Sequence, residues 1–142
     1  MSDFAPLPMP DPVLQDVCAR LIHFLETSEV PPDLFTEDVF CDFTPPLWRV
    51  QARGVADVVA LRHRGHPGAS QVTKSSVQPT PQGFVMELEE RWQDTQGPWY
   101  CREAIVAALR GPSISRLVVY CTGDWNAERQ AAHAAQVKLL EA

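Results

Sequence analysis

Four strand-like runs in the second half of the chain most constrain its fold. Apolar and polar residues alternate along each run with a period of two, which is typical of half-buried β-strands. The runs are 72–78, 84–93, 99–110 and 114–122, and they are separated by 79–83, 95–97 and 111–112. The separating segments are short and rich in proline and glycine, so they predict tight connections. Short connections join antiparallel neighbours, and the sequence therefore predicts an antiparallel meander.

The first half and the C-terminus have helical patterns instead. Apolar residues recur at steps of three and four from Pro12, which predicts an amphipathic helix that ends near Glu29 and is capped by Asp11. A strand is expected at 39–43, an edge strand or lid at 47–51, a second helix from Val55 to about residue 64, and a closing helix at 126–141. Helices followed by a meander predict an α+β fold, with the N-terminal helices packed on one face of a curved antiparallel sheet.

Length, charge and cysteine spacing narrow the class of protein. The 142 residues fit a single domain at 13–125, preceded by a proline-rich arm at 1–12 and followed by the C-terminal helix at 126–142. Twelve basic against 18 acidic residues argue against nucleic-acid binding, and no apolar run approaches the ~20 residues of a membrane span. The four cysteines have neither metal-ligand nor redox spacing. We expect a soluble, cytoplasmic protein without metal or cofactor.

The loop at 95–97 predicts which side chains share a face of the sheet. As a three-residue hairpin loop it places Glu90 opposite Arg102 and Trp92 opposite Tyr100. The same face is apolar at its other end, where it carries Phe84, Met86, Leu88 and Val106. Two readings of the Glu90 and Arg102 pair stay open: a catalytic pair in a desolvated pocket, or a cross-strand salt bridge at the sheet rim. Trp92 and Tyr100 stack on a ligand or belong to the core.

The order of these segments resembles the nuclear transport factor 2-like superfamily. The resemblance rests on LETSEVPPDLFTEDVFCDF at 25–43, RGVADVVALRHRG at 53–65 and YCREAIVAALRGPSISRLVVYCTGDW at 100–125. The SnoaL-like branch of that superfamily includes ketosteroid isomerases, polyketide cyclases, dehydratases and epoxide hydrolases. Membership implies a cystatin-like α+β barrel whose curved sheet and helices enclose a conical, largely apolar cavity for a small molecule, and it implies a dimer.

The resemblance also indicates where catalytic groups would lie. The three positions that carry the acids and the tyrosine of ketosteroid isomerases fall on Leu21, Phe43 and Val106, so all three groups are replaced here. A slip of one residue would put Asp42 in place of Phe43. The Arg-x-Asp pattern of the epoxide hydrolases falls on residues 102–104, where Arg102 is kept and the carboxylate is lost.

Further candidates come from the strand pattern and the loops. Leu117, Val119 and Cys121 are expected to line the cavity, and Trp48 either covers its mouth as a lid or plugs it against the first helix. His63 and His66 end the second helix beside two arginines, where favourable interaction with the helix dipole is expected. We expect the cavity to exceed roughly 300 Å³, as small-molecule sites commonly do.

Three functions are consistent with the sequence, and the third is a dimeric interaction module that would use the closing helix and the face with Glu87, Glu89 and Arg91. The first is a cofactor-independent cyclase, isomerase or lyase in which Glu90 transfers a proton, Arg102 orients the substrate and Tyr100 donates a hydroxyl. The second is a non-catalytic protein of the same fold that binds a small hydrophobic molecule. Either would form a homodimer through the convex sheet face, to which the pattern assigns Val85, Trp99, Cys101 and Ile105.

Overall fold

The computed structural model describes residues 11–141, and the predicted N-terminal arm lies almost entirely outside this range. Three helices and six strands follow one another along the chain. They are α1 (Pro12–Thr27), β1 (Phe35–Thr44), β2 (Val50–Arg53), α2 (Val55–Gly65), β3 (Gln71–Pro79), β4 (Gly83–Asp94), β5 (Gly97–Arg110), β6 (Ser113–Cys121) and α3 (Ala127–Gln136). The predicted α+β fold is confirmed.

Local sequence explains where the helices begin and end. The Asp11 carboxylate accepts a hydrogen bond from the Val13 amide at 2.9 Å, and a proline follows it at the first helical position. Helix α1 ends at Ser28, which adopts a left-handed conformation with φ of 62°. Helix α3 is capped by Asn126 and has no buried residue. No helix within residues 11–141 is long and apolar enough to cross a membrane.

The strands form one curved, unclosed sheet in the order β2-β1-β6-β5-β4-β3. All neighbouring pairs are antiparallel except β1 and β6, which pair in parallel. The predicted meander corresponds to β3–β6. Strand β1, which follows α1, pairs with β6, so the first and last strands of the chain are neighbours in the sheet. Helices α1 and α2 pack on one face of this sheet, and the core lies between them.

The predicted register of the β4–β5 hairpin was wrong by one residue. Asp94 pairs with Gly97, so the loop has two residues, and Glu90 lies opposite Cys101. Because side chains alternate across a strand, a slip of one residue turns every side chain of β5 to the other face. Cys101 and Ile105 therefore point into the core, at 0% and 1% exposure, whereas Arg102 and Val106 lie on the outer face. Trp99, which stacks on Trp92, is on the inner face as well, so Trp99, Cys101 and Ile105 cannot contribute to the predicted convex dimer surface.

Candidate functional site

A cavity of about 260 Å³ lies between α1, α2 and the inner face of the sheet. Its apolar wall includes Leu21, Phe24, Phe43, Ile105, Leu117 and Val119, and its polar groups are Arg62, His66, Glu103, Cys121 and Asp124. The volume falls short of the expected 300 Å³ and is room for about nine water molecules at ~30 Å³ each. A wider depression of about 460 Å³ lies along the outside of α1, but it is open to solvent.

Helix α2 turns a polar stripe toward the sheet. Val58, Arg62 and His66 follow one another at four-residue steps and so share one side of the helix. Val58 is buried in the core, and the next two positions carry a guanidinium and an imidazole toward the cavity. The side chain of Arg62 is only 9% exposed. The helix therefore places a cation and a potential proton acceptor at the polar end of the cavity.

Arg62 is held by three hydrogen bonds. It donates Nη1 to Glu90 Oε2 at 3.1 Å and Nη2 to Glu90 Oε1 at 2.5 Å, and Nη2 also reaches the backbone oxygen of Leu25 at 2.5 Å. The Ser70 hydroxyl donates to Glu90 Oε1 at 2.6 Å. Burial alone would raise the pKa of Glu90, but the hydrogen bonds from Glu103 and Arg62 lower it to about 2. Glu90 is an ionised, fully buried carboxylate.

Glu103 is the neighbouring carboxyl group, and it lines the cavity. Burial, together with the hydrogen bond to Glu90 and the negative charge there, raises the pKa of Glu103 well above its usual range. The two carboxyl groups titrate together, and of the two Glu103 is the one whose surroundings favour the protonated form.

His66 and Asp124 complete the polar end. His66 Nε2 lies 3.9 Å from Asp124 Oδ1, and the imidazole meets the Trp92 ring edge-on at 4.5 Å. Burial and then the positive charge of Arg62 lower the pKa of His66 from 6.5 to about 4, so the imidazole is neutral at pH 7. Burial and the negative charge of Glu90 raise the pKa of Asp124, which makes its carboxylate a stronger base.

Unpartnered polar atoms concentrate in this part of the molecule. Within residues 11–141, the buried side-chain atoms that lack a hydrogen-bond partner are Arg62 Nε, His66 Nδ1 and Trp99 Nε1. Trp99 stacks on Trp92, which in turn contacts His66, so all three atoms lie in or beside the polar end. Buried polar groups without partners are rare in folded proteins and are commonest where a ligand or water completes them.

Cys101 belongs to two groups of side chains whose atoms are close enough to bind one metal ion. His66, Cys101 and Asp124 have ligand atoms within 4.8 Å of one another, as do Glu90, Cys101 and Glu103. Imidazole, thiolate and carboxylate would suit a zinc ion. The Arg62 guanidinium, however, already supplies positive charge to Glu90, and hydrogen bonding from Cys121 with burial raises the pKa of Cys101 strongly. A thiol that stays protonated is a poor metal ligand, so these residues do not fit a zinc ion well.

The structure separates the three side chains predicted to be catalytic. Glu90 is on the inner face, but its partner is Arg62 rather than Arg102. Arg102 is exposed on the outer face opposite Glu89, because of the shift in register. Tyr100 lies on the same outer face, where its hydroxyl donates to Glu89 and its ring lies 4.5 Å from the Arg91 guanidinium. The proton transfer predicted for Glu90 stays a prediction, but Arg102 and Tyr100 cannot reach the cavity from where they lie.

Most of the predicted ligand-binding residues do lie on the inner face. Phe43, Leu117, Val119 and Cys121 line the cavity. Met86, Leu88 and Trp92 belong to the inner face but not to the cavity wall, since the first two are buried in the core and Trp92 packs between His66 and Trp99. The prediction for Val106 was wrong, because this side chain lies on the outer face and is 43% exposed. The prediction for Trp48 was wrong as well, because its ring is 70% exposed and forms neither a lid nor a plug.

Asp42 alternates with Cys41 and Phe43 along β1, so it points to the other side of the sheet, where it is buried. It is only 7% exposed because Arg49 covers it, donating Nε at 2.9 Å and Nη2 at 2.5 Å to its two carboxylate oxygens. Asp42 pairs with Val118 of β6 and lies on the outer side of the sheet, away from the cavity. It therefore cannot stand in for the aspartate that Phe43 replaces.

Five polar residues of the site were missed by the sequence analysis or given another role: Arg62, His66, Ser70, Glu103 and Asp124. Two patterns in the sequence could have indicated some of them. The four-residue step from Val58 to Arg62 and His66 continues the apolar stripe of α2 with polar side chains. Glu103 interrupts an alternating series of small and apolar residues, Cys101, Ile105 and Ala107, that belongs to the inner face. No such signal marks Ser70 or Asp124, which lie in connections between elements.

Comparison with known proteins gives matches in structure only. No protein-family model matches the chain, and no curated protein does. An NTF2-like protein from Anabaena variabilis superposes with a TM-score of 0.66 at 18% identity, over 87% of this chain and 96% of that one. An NTF2-like protein of unknown function from Cytophaga hutchinsonii superposes with a TM-score of 0.55 at 15% identity, over 76% and 98%. This chain has the nuclear transport factor 2-like fold.

A third solved structure carries the same NTF2-like fold with a small molecule. It is a hypothetical protein with a ketosteroid isomerase-like fold from Catenulispora acidiphila, in complex with trimethylamine. It superposes with a TM-score of 0.57 at 12% identity, over 75% of this chain and 85% of that one. Of the three positions that the resemblance assigns to isomerase catalysis, Leu21 and Phe43 line the cavity as apolar residues, and Val106 does not reach it.

Proposed function

We propose that this protein is a cofactor-independent enzyme that performs acid-base catalysis on a small, neutral, mostly apolar molecule in the cavity. The observation that carries the proposal is that two carboxyl groups, Glu103 and Asp124, line the polar end of an otherwise apolar cavity, and the pKa of each is raised. Carboxyl groups whose pKa values are shifted by their surroundings are common at active sites, where they act as general acids and bases. The cavity volume limits the substrate to about one or two rings.

The arrangement suits a substrate with a carbonyl group. Glu103 donates a hydrogen bond to the carbonyl oxygen, on which negative charge develops as a proton leaves the adjacent carbon. The Asp124 carboxylate, whose side chain is 38% exposed, accepts that proton, and the neutral His66 lies 3.9 Å from it. Return of the proton to a different carbon completes an isomerisation. Expulsion of a leaving group or attack on a second carbonyl from the same enolate would make the enzyme a lyase or a polyketide cyclase.

Solved structures of this fold support the proposal. The Catenulispora acidiphila protein has a ketosteroid isomerase-like fold and is in complex with trimethylamine, a small molecule. We extend the binding of a small molecule to this chain as part of the proposal. Proton transfer is proposed here on Glu103 and Asp124, since the positions used by ketosteroid isomerases carry leucine, phenylalanine and valine.

Deuterium exchange into acetophenone tests the proposal without knowledge of the substrate. Acetophenone is a one-ring ketone, and removal and return of a proton in D₂O replaces its methyl hydrogens with deuterium, which NMR detects. We expect the protein to accelerate exchange. Glu103→Met, which removes the donor, and Asp124→Asn, which removes the base, should each lower the acceleration about 100-fold or more. Glu103→Gln retains an N–H donor and should lose less.

Glu87→Gln is the matched control, because Glu87 is an exposed glutamate of the sheet. It should leave the exchange unchanged. Wild-type protein that binds acetophenone without accelerating exchange, or an unchanged rate in Glu103→Met and Asp124→Asn, would contradict the catalytic proposal.

A second candidate function is the binding of a small hydrophobic molecule without chemistry. It is favoured by the apolar side chains of Leu21 and Phe43 at the positions where ketosteroid isomerases carry polar catalytic groups. Under this alternative, acetophenone and ethylbenzene would bind with similar affinity, since shape and apolar contact would dominate. Under the catalytic proposal, acetophenone binds more tightly, because its carbonyl oxygen accepts a hydrogen bond from Glu103.

We also propose that the protein forms a cytoplasmic homodimer. On the outer face, Val106 is 43% and Tyr120 54% exposed, and Val106 pairs across the sheet with Val118. An apolar patch on an exposed sheet face commonly marks an interaction surface. Light scattering at micromolar concentration should give the dimer mass for the wild type and for Ala60→Glu, an exposed position on α2, and the monomer mass for Val106→Glu. A monomeric wild type would contradict the dimer. All four cysteines are free thiols, as in reducing compartments.

A further inference from the structure

We propose that Arg62 is a positioning residue that, with Ser70, holds Glu90 as a carboxylate and so keeps the shared proton of the carboxyl pair on Glu103. The inference deepens the proposed function, because it names the residues that prepare the acid. Arg62 acts through Glu90 rather than through the substrate.

The hydrogen bonds to Glu90 favour its ionised form. Both of its oxygens accept from Arg62, at 3.1 and 2.5 Å, and one of them also accepts from the Ser70 hydroxyl at 2.6 Å. These three bonds occupy both acceptor sites of Oε1 and one of the two on Oε2, so the ionised form is favoured and one site is left to accept from a neighbouring protonated carboxyl group. The bond from Arg62 to the Leu25 backbone oxygen ties the guanidinium to α1 and helps to hold it against Glu90.

The proton balance of the cluster follows from the charges around it. The titratable groups that face Glu103 and Glu90 are Arg62 and His66 from α2 and the segment after it, Cys101 from β5, and Cys121 and Asp124 from β6 and the segment after it. Arg62 is the one cation among these groups at neutral pH, because His66 is neutral. One guanidinium compensates one carboxylate, and a second buried carboxylate would be uncompensated. Glu103 therefore keeps its proton.

The proton on Glu103 selects the chemical class of the ligand. A neutral O–H group donates to a carbonyl or ether oxygen, but the ligand end of the cavity then has no free cation for a carboxylate. Arg62 is engaged by Glu90 and Leu25, and Asp124 repels an anion. The site should bind acetophenone and reject benzoate, which has a ring of the same size and a charged head group.

Infrared spectroscopy of the ligand-free protein at pH 7 tests this inference. Asp and Glu side chains with ordinary pKa values are ionised at that pH. The carbonyl-stretch band of a protonated carboxylic acid therefore reports a carboxyl group whose pKa is raised, such as Glu103. We expect the band in the wild type and its loss in Glu103→Gln. Arg62→Met removes the cation, and Glu90 should then take up a proton, so the band should about double. Arg62→Lys should restore the wild-type intensity.

Glu90→Gln gives a second and opposite test should Arg62→Met fail to fold. Without a carboxylate at position 90, the Arg62 guanidinium is free to compensate Glu103, which should ionise, so the band should disappear although Glu103 is unchanged. Arg64→Met is the matched control, since Arg64 lies on the same helix but is exposed. It should leave the band as it is.

Absence of the band in the wild type would overturn the inference, as would wild-type intensity in both Arg62→Met and Glu90→Gln. The spectra need no substrate, so they separate this inference from the proposed function. A normal band with no exchange into acetophenone would refute the catalysis and leave the proton on Glu103 established. Exchange without a band would refute the proton on Glu103 and with it the role of Arg62, while the proton abstraction proposed for Asp124 would stand.

Discussion

Substitution of His66 by glutamine should remove a large part of the acid sensitivity of the fold. Burial and the charge of Arg62 hold the pKa of His66 at about 4, against 6.5 for an unhindered imidazole. Between these two pH values the unfolded chain binds a proton at this position and the folded chain does not. Stability contributed by the neutral imidazole is therefore fully present above pH 6.5 and is lost as the pH falls toward 4.

The size of the effect follows from the pKa shift. At ~1.4 kcal/mol per pH unit, the change from 6.5 to about 4 corresponds to about 3 kcal/mol of unfolding free energy. His66 is only 9% exposed, so solvent screens little of it. Urea denaturation of wild type and His66→Gln, followed by circular dichroism at pH 7, 6, 5 and 4, measures the difference. We expect the free-energy difference between the two proteins to shift by about 3 kcal/mol in favour of the variant across that range.

His63→Gln is the control for this prediction. His63 lies one turn earlier on the same helix and is exposed. Its variant should follow the wild-type pH dependence. Parallel curves for the wild type and His66→Gln would refute the buried, neutral state of His66 and with it the electrostatic account of the polar end.

Three further predictions concern the sheet, the loop and the cavity. Gly83→Ala should cost about 1–3 kcal/mol in urea denaturation, because the added methyl carbon would lie 2.2 Å from the backbone oxygen of Ala107; an unchanged stability would contradict the close approach of β4 and β5. Trp48→Ala should change stability by less than about 0.5 kcal/mol, since the ring is 70% exposed, and a larger loss would mean that it packs. Leu117→Trp should fill the cavity and abolish acetophenone binding in an NMR titration, while retained binding would place the ligand elsewhere.

Much of the fold was predictable from the sequence because its signals are local. Proline and glycine mark the connections, period-two runs mark β3–β6, and Asp11 with Pro12 marks the start of α1. The parallel pairing of β1 with β6 has no such signal. It depends on how the chain returns across the sheet, which the sequence pattern leaves open.

The candidate site was harder to predict because the side chains that β5 turns toward the cavity depend on the length of the loop before it, which consists of Thr95 and Gln96. A glycine with positive φ at position 97 is compatible with a two- or a three-residue loop, and Gly97 has φ of 111° in the paired position. The predicted three-residue loop placed Arg102 on the inner face of the sheet and Glu103 on the outer face, whereas the observed register has them the other way round. The hairpin pattern placed Glu90 correctly, since β4 precedes the turn, but its true partner comes from a helix 28 residues earlier in the chain.

The polar end also combines groups from segments that sequence patterns do not connect. Arg62 comes from α2, Ser70 from the connection before β3, Glu103 from β5 and Asp124 from the segment after β6. Each has a common surface role when considered alone, as a helix-terminal cation, a loop hydroxyl or a solvated acid. Only the tertiary structure shows that Arg62, Glu103 and Asp124 line one cavity, with Ser70 bonded to Glu90 beside it.

The most direct test of the account is the position of a bound ketone. A crystal structure of the protein with acetophenone should show the ring among Leu21, Phe43 and Leu117, with the carbonyl oxygen within hydrogen-bond distance of the Glu103 carboxyl group. Its methyl carbon should face Asp124. A ligand that binds in the cavity with its carbonyl turned away from Glu103, or that binds only outside the cavity, would contradict the central claim that Glu103 is the acid of this site.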